Sequence, residues 1–275
     1  MQHISAMLKA ENKSIGFVPT MGYLHKGHLS LVEKSQKQTD VTVVSIFVNP
    51  TQFAPNEDLN KYPRDIERDK NFLSKLGVDY LFQPAVEEIY PENFQTFVNV
   101  EKITKTLEGE FRPAHFKGVT SIVSILFNSV MPDYAFFGQK DAQQAAAIKQ
   151  MVSDLKFNVK IIVSPIVREP DGLALSSRNI YLSGKERKDA LVLSQSLKLA
   201  SILIKDGERN TELIISKMNE VINSVNTSKL DYIKIVEADS FIASERLIKN
   251  KSYYILVACR IGSTRLIDNT FLKIK

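Results

Sequence analysis

The chain is poor in cysteine: one residue in 275, Cys259. No disulfide can form within it, and a reducing compartment suits such a sequence. The neighbours Ile255, Leu256, Val257 and Ala258 are apolar, which predicts a buried, inert thiol. No stretch approaches the roughly 20 apolar residues that a membrane span needs, so no membrane association is expected. The opening Met-Gln-His-Ile-Ser has neither a basic start nor an apolar core. No signal peptide is read there, and a cytoplasmic location is expected. Internal repeats and low-complexity segments are also missing. Histidine is scarce, with four residues. His25 and His28 stand three apart, but a catalytic zinc takes a third protein ligand. Only His3 and His115 remain to supply one, which argues against a zinc site.

What is present belongs to a globular protein: 44% hydrophobic and 24% charged residues. The length allows one large or two ordinary domains. The net charge of +5 suits nucleic acid or anionic metabolites alike. The lysines are scattered rather than clustered, so no nucleic-acid partner is expected.

Apolar periodicity predicts strands over 15–19, 41–48, 79–83, 134–137 and 158–163. Helices are predicted over 28–37, 64–76, 119–130 and 142–155, with Pro63 opening the second and Gly77 closing it. Residues 1–14 read as short and polar. Residues 96–100 suggest a further strand, and 102–107 a short helix. Strands alternating with helices predict a Rossmann-like α/β fold, a doubly wound and mainly parallel sheet. Beyond residue 177 the pattern changes. Two helices (185–205 and 211–225) are followed by three strands (230–237, 251–259 and 264–268), a small α+β domain. The expected division is 1–170 and 171–275, with the smaller domain closing over a nucleotide.

Ligands of such sheets sit beyond the carboxyl ends of the strands. The stretch Gly16-Phe-Val-Pro-Thr-Met-Gly-Tyr-Leu-His-Lys-Gly-His28 passes from a strand to a helix start. Helix N-termini hold phosphates with free N–H groups and a partial positive charge. His25 and His28 read either as caps of that helix or as donors to phosphate oxygens. Gly27 between them would leave the backbone open to a flat ligand. Leu175-Ser-Ser-Arg-Asn179, after Val167-Arg-Glu-Pro-Asp-Gly172, reads either as a phosphate clamp or as a serine-rich linker. Its glycine and prolines suggest a loop able to close. Gly138-Gln-Lys-Asp141 lies at another strand end. Lys140 and Asp141 suit a phosphate and a ribose or metal-bound water, or else a capped helix start. Gln144 follows one turn on. Asn49 and Gln52 offer uncharged amides to a hydroxy acid, though Asn-Pro is also ordinary turn chemistry. Arg112 and His115 are anion-binding candidates or surface residues.

Four segments together resemble the pantoate–β-alanine ligases (pantothenate synthetases) of the HxGH nucleotidyltransferase superfamily. They are Pro19–His28, Phe47–Phe53, Gly138–Gln144 and Asp171–Asn179. The likeness runs in order along nearly the whole chain and weakens after about residue 190. It implies a homodimer that joins pantoate to β-alanine using ATP and Mg²⁺, through a pantoyl-adenylate, releasing AMP and pyrophosphate. By position, Met21, Gly22, Tyr23, Leu24, His25, Lys26, Gly27 and His28 would line the ATP site. His28 is the family's assigned proton donor. Gly138, Gln139, Lys140, Asp141, Val167, Leu175, Ser176, Ser177 and Arg178 would complete that site. Gln52 would meet pantoate and β-alanine, and Gln144 pantoate; Asn49 is a further pantoate candidate on the chemistry of its own amide. His25, His28, Lys140 and Arg178 would supply the positive donors for catalysis. Another HxGH-type nucleotidyltransferase is the alternative. Two positions depart from the family: Ala114 replaces a usual glycine, and Leu175 a frequent methionine.

Overall fold

Five short β-branched and aromatic segments form one all-parallel sheet: β1 (Ile15–Thr20), β2 (Val41–Ile46), β3 (Tyr80–Phe82), β4 (Tyr134–Gly138) and β5 (Lys160–Ser164). The helices that accompany them are α1 (Gln2–Ala10), α2 (Lys26–Gln36), α3 (Ile66–Lys75), α4 (Val86–Ile89), α5 (Glu108–Phe111), α6 (His115–Val130) and α7 (Ala142–Leu155). The computed structural model describes every residue except 55, 56 and 58. One compact unit is Met1–Gln139 with Gln143–Pro165; the other is Ile166–Lys275 with Lys140–Ala142.

The strands carry apolar side chains on both faces because both faces are covered. Ile15, Phe17, Val43 and Phe137 pack with Leu8 of α1, Leu126 and Phe127 of α6 and Ile148 of α7. Val18, Val44 and Phe136 pack on the other side with Leu31 and Val32 of α2 and Leu73 of α3. The strand order is β3-β2-β1-β4-β5, so the winding reverses between β1 and β4. β1 stays in register with β2 as far as Thr20↔Ile46. With β4 it pairs only at Gly16↔Tyr134 and Phe17↔Ala135. β4 meanwhile follows β5 to Gly138↔Ser164. The sheet therefore parts between β1 and β4 toward their carboxyl ends, the position where open α/β sheets take ligands.

The structure corrects several expected elements. The first residues are helical: Leu8 is buried and Met1 and Ile4 pack beside it, a helical spacing. Residues 96–100 form no strand. Val98 N–H donates to Ser121 Oγ at 2.9 Å, and Val98 O accepts from Thr120 Oγ1 at 2.7 Å. Hydroxyls of α6 thus replace a partner strand. Residues 102–107 are turns, held by buried Gln143. Its Nε2 donates to Ile103 O and Thr106 O at 2.7 Å each, and its Oε1 accepts from Glu108 N at 3.0 Å. Asp65, not Pro63, caps α3, while Gly77, at φ +67°, follows its end.

In the second unit the expected long helix is two, α8 (Gly184–Asp189) and α9 (Leu191–Lys205), bent at the buried Ala190. α10 (Thr211–Ile222) follows, then β6 (Ser228–Glu237), β7 (Ser252–Ile261) and β8 (Thr264–Lys273) in one antiparallel sheet. Ile255, Val257, Cys259 and Ile261 pack with Leu193 and Leu197 of α9 and Ile214 and Met218 of α10. Burial pushes the Cys259 thiol up to about 11.

Candidate active site

The turn leaving β1 ends in a helix cap made by histidines. His25 is the N-cap of α2, and its Nδ1 accepts from Gly27 N at 3.1 Å. His28 Nδ1 accepts from His25 N at 3.4 Å. The rings stack 4.0 Å apart at 24°. An accepting Nδ1 carries no proton, so each neutral ring holds its proton on Nε2. Capping and donation are therefore compatible roles for different nitrogens of each ring. Gly27 is required by the cap itself: a Cβ there would meet His25 Cε1 and Nδ1 at 2.9 Å.

The segment before the cap is held from α3. Gly22 and Tyr23 both have positive φ, +79° and +50°; for tyrosine that conformation needs support. Buried Asp69 accepts from Tyr23 N at 2.6 Å and Leu24 N at 2.8 Å. Burial raises the Asp69 pKa, an effect opposed by those two N–H donors and by Arg68. Arg68 Nη2 donates to Leu24 O at 2.6 Å, and its guanidinium lies 4.1 Å from the Tyr23 ring centroid. Leu24 turns its side chain into the core, so its contribution to a ligand is limited to its backbone. Lys26 is exposed.

Gln52 and Met21 meet: Gln52 Nε2 lies 2.8 Å from Met21 Sδ. Gln52 ends a 3₁₀ turn, Pro50–Gln52, capped by Asn49. Asn49 is buried and engaged at both ends of its amide. Its Nδ2 donates to Gln52 Oε1 and Gly118 O, and its Oδ1 accepts from Thr51 and from Tyr90 Oη. It shapes the turn that presents Gln52. Gln144 is half-buried in the first turn of α7, and Gly138 and Gln139 lie at the end of β4.

In the second unit, residues 167–175 form a tight hairpin. Leu175 N donates to Val167 O at 3.0 Å, and Gly172 N to Glu169 O at 2.9 Å. Arg168 grips buried Asp268 of β8 with two bonds, 2.6 and 2.8 Å, and donates to Gly172 O. Arg187 pairs with Glu169 and Asp171. The loop expected to be able to close is thus tied by these bonds to its own unit. Ser176 caps the 3₁₀ turn Ser177–Tyr181, accepting from Arg178 N. Ser177 is buried and Arg178 half-buried. Asn269 Nδ2 donates to Lys140 O at 2.9 Å, tying the Lys140 main chain to β8.

A sequence model of the pantoate-beta-alanine ligase family matches residues 1–271. The chain belongs to the pantoate–β-alanine ligase family. It is an enzyme, a ligase that forms pantothenate from pantoate and β-alanine. The pantothenate synthetase of Caldicellulosiruptor saccharolyticus is 55% identical, covering 100% of this chain and 97% of its own. That of a Thermoanaerobacter species is 58% identical, over 95% and 92%. Among solved structures, the Thermus thermophilus enzyme superposes with a TM-score of 0.91 at 45% identity, over 97% and 96% of the two chains. The Francisella tularensis ligase, complexed with beta-gamma ATP and beta-alanine, gives 0.77 at 38%, over 97% and 93%.

Both departures from the family pattern fit the local backbone. Ala114 has φ −87° and ψ −14°, so no glycine is required there. Leu175 joins the hairpin through its backbone. Arg112 and His115, expected as anion ligands or surface residues, are bonded to Gln52 O and to each other. Among the described residues no group of three or more His, Cys, Asp or Glu could hold a metal ion. Mg²⁺ in ATP enzymes rests on phosphate oxygens, waters and one or two carboxylates. The donor set present fits an ion of that kind, with exposed Asp141 as a carboxylate on offer.

Asp69 lies outside the four motifs, and Gln143, inside Gly138–Gln144, has no role assigned from its sequence. Both sit where an apolar stripe continues, Asp69 one turn before Leu73 and Gln143 one turn before Ala147. A polar residue in such a stripe is the sequence signal that finds them.

Proposed function

We propose that the enzyme activates pantoate with ATP as a pantoyl-adenylate, which β-alanine then attacks to give pantothenate and AMP. The observation that carries this reading is the histidine cap. Both Nδ1 atoms are bonded to the backbone, which makes Nε2–H the donor of each ring. Pantoate carboxylate meeting the α-phosphate brings two anions together, so the barrier is largely electrostatic. The Nε2–H groups of His25 and His28, with Lys140 and Arg178, take the role of donors to the phosphate oxygens. His28, which the family resemblance gives as the proton donor, donates a hydrogen bond from Nε2–H to the departing pyrophosphate. Asp141 would help to hold Mg²⁺ beside the phosphates, and the ion would supply charge neutralisation at the leaving group.

Met21–His28, Gly138–Asp141, Val167 and Leu175–Arg178 take the ATP roles that the family resemblance gives them. Leu24 does so through its backbone. ATP as substrate accords with the nucleotide in the Francisella tularensis complex. Gln52 takes pantoate and β-alanine, and Gln144 takes pantoate. A cytoplasmic homodimer is the working assembly. No helix among the described residues is long and apolar enough to cross a membrane.

The test is pyrophosphate release in a single turnover. Release requiring ATP and pantoate together, without β-alanine, supports the adenylate. Release with ATP alone, or only once β-alanine is added, overturns it.

A further inference from the structure

The main-chain oxygen of Gln52 is the focus of a cluster from the start of α6. His115 Nδ1 lies 3.0 Å from it, and Arg112 Nη2 donates to it at 3.4 Å. Arg112 Nη1 lies 3.3 Å from His115 Nε2. A carbonyl only accepts and a guanidinium only donates. One tautomer alone satisfies both, with the proton on Nδ1 and a lone pair on Nε2. This is the reverse of the tautomer in the α2 cap.

We propose that His115 and Arg112 are positioning residues for Gln52 rather than ligands of a substrate carboxylate. The proposal rests on the reading that Gln52 touches pantoate. Arg112 is already paired: Nε and Nη2 fork onto Glu57 at 2.7 and 2.6 Å. Its charge is compensated within the unit before a substrate arrives. His115 is neutral, because burial and the adjacent Arg112 guanidinium hold its pKa down at about 4. A neutral ring whose two nitrogens are both engaged offers little to an anion.

The same helix start holds the turn by its main chain. Asn49 Nδ2 donates to Gly118 O at 3.1 Å. A Cβ at Gly118 would approach Thr51 O and Gln52 N at 2.5 and 2.6 Å. The backbone of Pro50–Gln52 therefore lies directly on α6, and the His115 donor fixes its last carbonyl. Rotation of that peptide would swing the Gln52 side chain off Met21 and Asn49.

The test compares His115→Asn, His115→Gln and Gln52→Ala in the full chain, with KM for pantoate and for ATP measured separately. The asparagine amide falls near the place of Nδ1 and keeps a donor for Gln52 O; the glutamine amide falls near the place of Nε2 and does not. We expect His115→Gln to raise the pantoate KM about tenfold or more, with the ATP KM within about twofold. His115→Asn should stay within about threefold of the parent for both substrates. Equal pantoate KM values in the two His115 variants, alongside a raised value in Gln52→Ala, overturn the positioning role alone. An unchanged pantoate KM in Gln52→Ala overturns the assignment of Gln52 itself.

Discussion

Replacing Gly118 by alanine should damage catalysis far more than folding. The added Cβ would stand 2.5 Å from Thr51 O and 2.6 Å from Gln52 N. Both are backbone atoms, so no side chain can swing aside. Ordinary contact near 3.5 Å requires the 3₁₀ turn to retreat by about 1 Å. For stability two effects oppose each other. Overpacking costs about 1–3 kcal/mol, and exchanging glycine for alanine inside a helix returns about 0.5–1 kcal/mol. The net loss is about 2.5 kcal/mol or less, which a stably folded domain tolerates. Catalysis lacks that offset, since a misplacement of about 1 Å at a substrate contact can lower the rate about 10²-fold. We expect kcat/KM for pantoate to fall about 10²-fold while the ATP KM changes little. Pyrophosphate release measures the kinetics and urea denaturation the stability. A variant that keeps the parent kcat/KM for pantoate and folds normally would refute the argument that this contact positions Gln52.

Asp69→Asn should weaken the turn before His25, because one carboxylate oxygen becomes an N–H₂ group facing a backbone N–H. The loss of a charge-assisted bond, about 1.5–3 kcal/mol, should appear as faster hydrogen exchange at Tyr23 and Leu24 and slower adenylate formation; unchanged exchange would show the clamp to be idle. His115 makes stability depend on pH. Its folded pKa of about 4 lies below the ordinary 6.5, so the native state binds fewer protons between those values and stability is lost as pH falls through that window, by roughly 3 kcal/mol at most. His115→Asn should flatten that part of the urea-midpoint profile, and a profile parallel to the parent's would contradict the burial argument. Cys259 is buried with its pKa raised to about 11, so Ellman's reagent at mildly alkaline pH should label it slowly in the native enzyme and rapidly in denaturant; equal rates would show the strand to be open.

Most of the fold was legible because its signals are local. The β-branched run at Val41–Ile46 and the glycine after α3 act within a few residues. The errors came where distant groups intervened. Val98 looked like part of a strand because its neighbours suit one, but its backbone is bonded to Thr120 and Ser121. Residues 102–107 looked helical until Gln143 held their carbonyls. The helix at residues 2–10 was overlooked although Met1, Ile4 and Leu8 have its spacing.

The sequence alone determined the class of sheet, the strand-to-helix turns at its edge and the chemical types gathered in four motifs. Those follow from side-chain period and turn chemistry, which neighbours along the chain decide. Only the tertiary structure decided which nitrogen of each histidine bears the proton, since that depends on what the other nitrogen meets. It also showed the Asn49 amide framing the turn that presents Gln52, and revealed Asp69 beneath the backbone of Tyr23 and Leu24. Forty-five residues separate Asp69 from Leu24 along the chain. Folding brings them within hydrogen-bond reach because burying one carboxylate requires donors, and that turn supplies two.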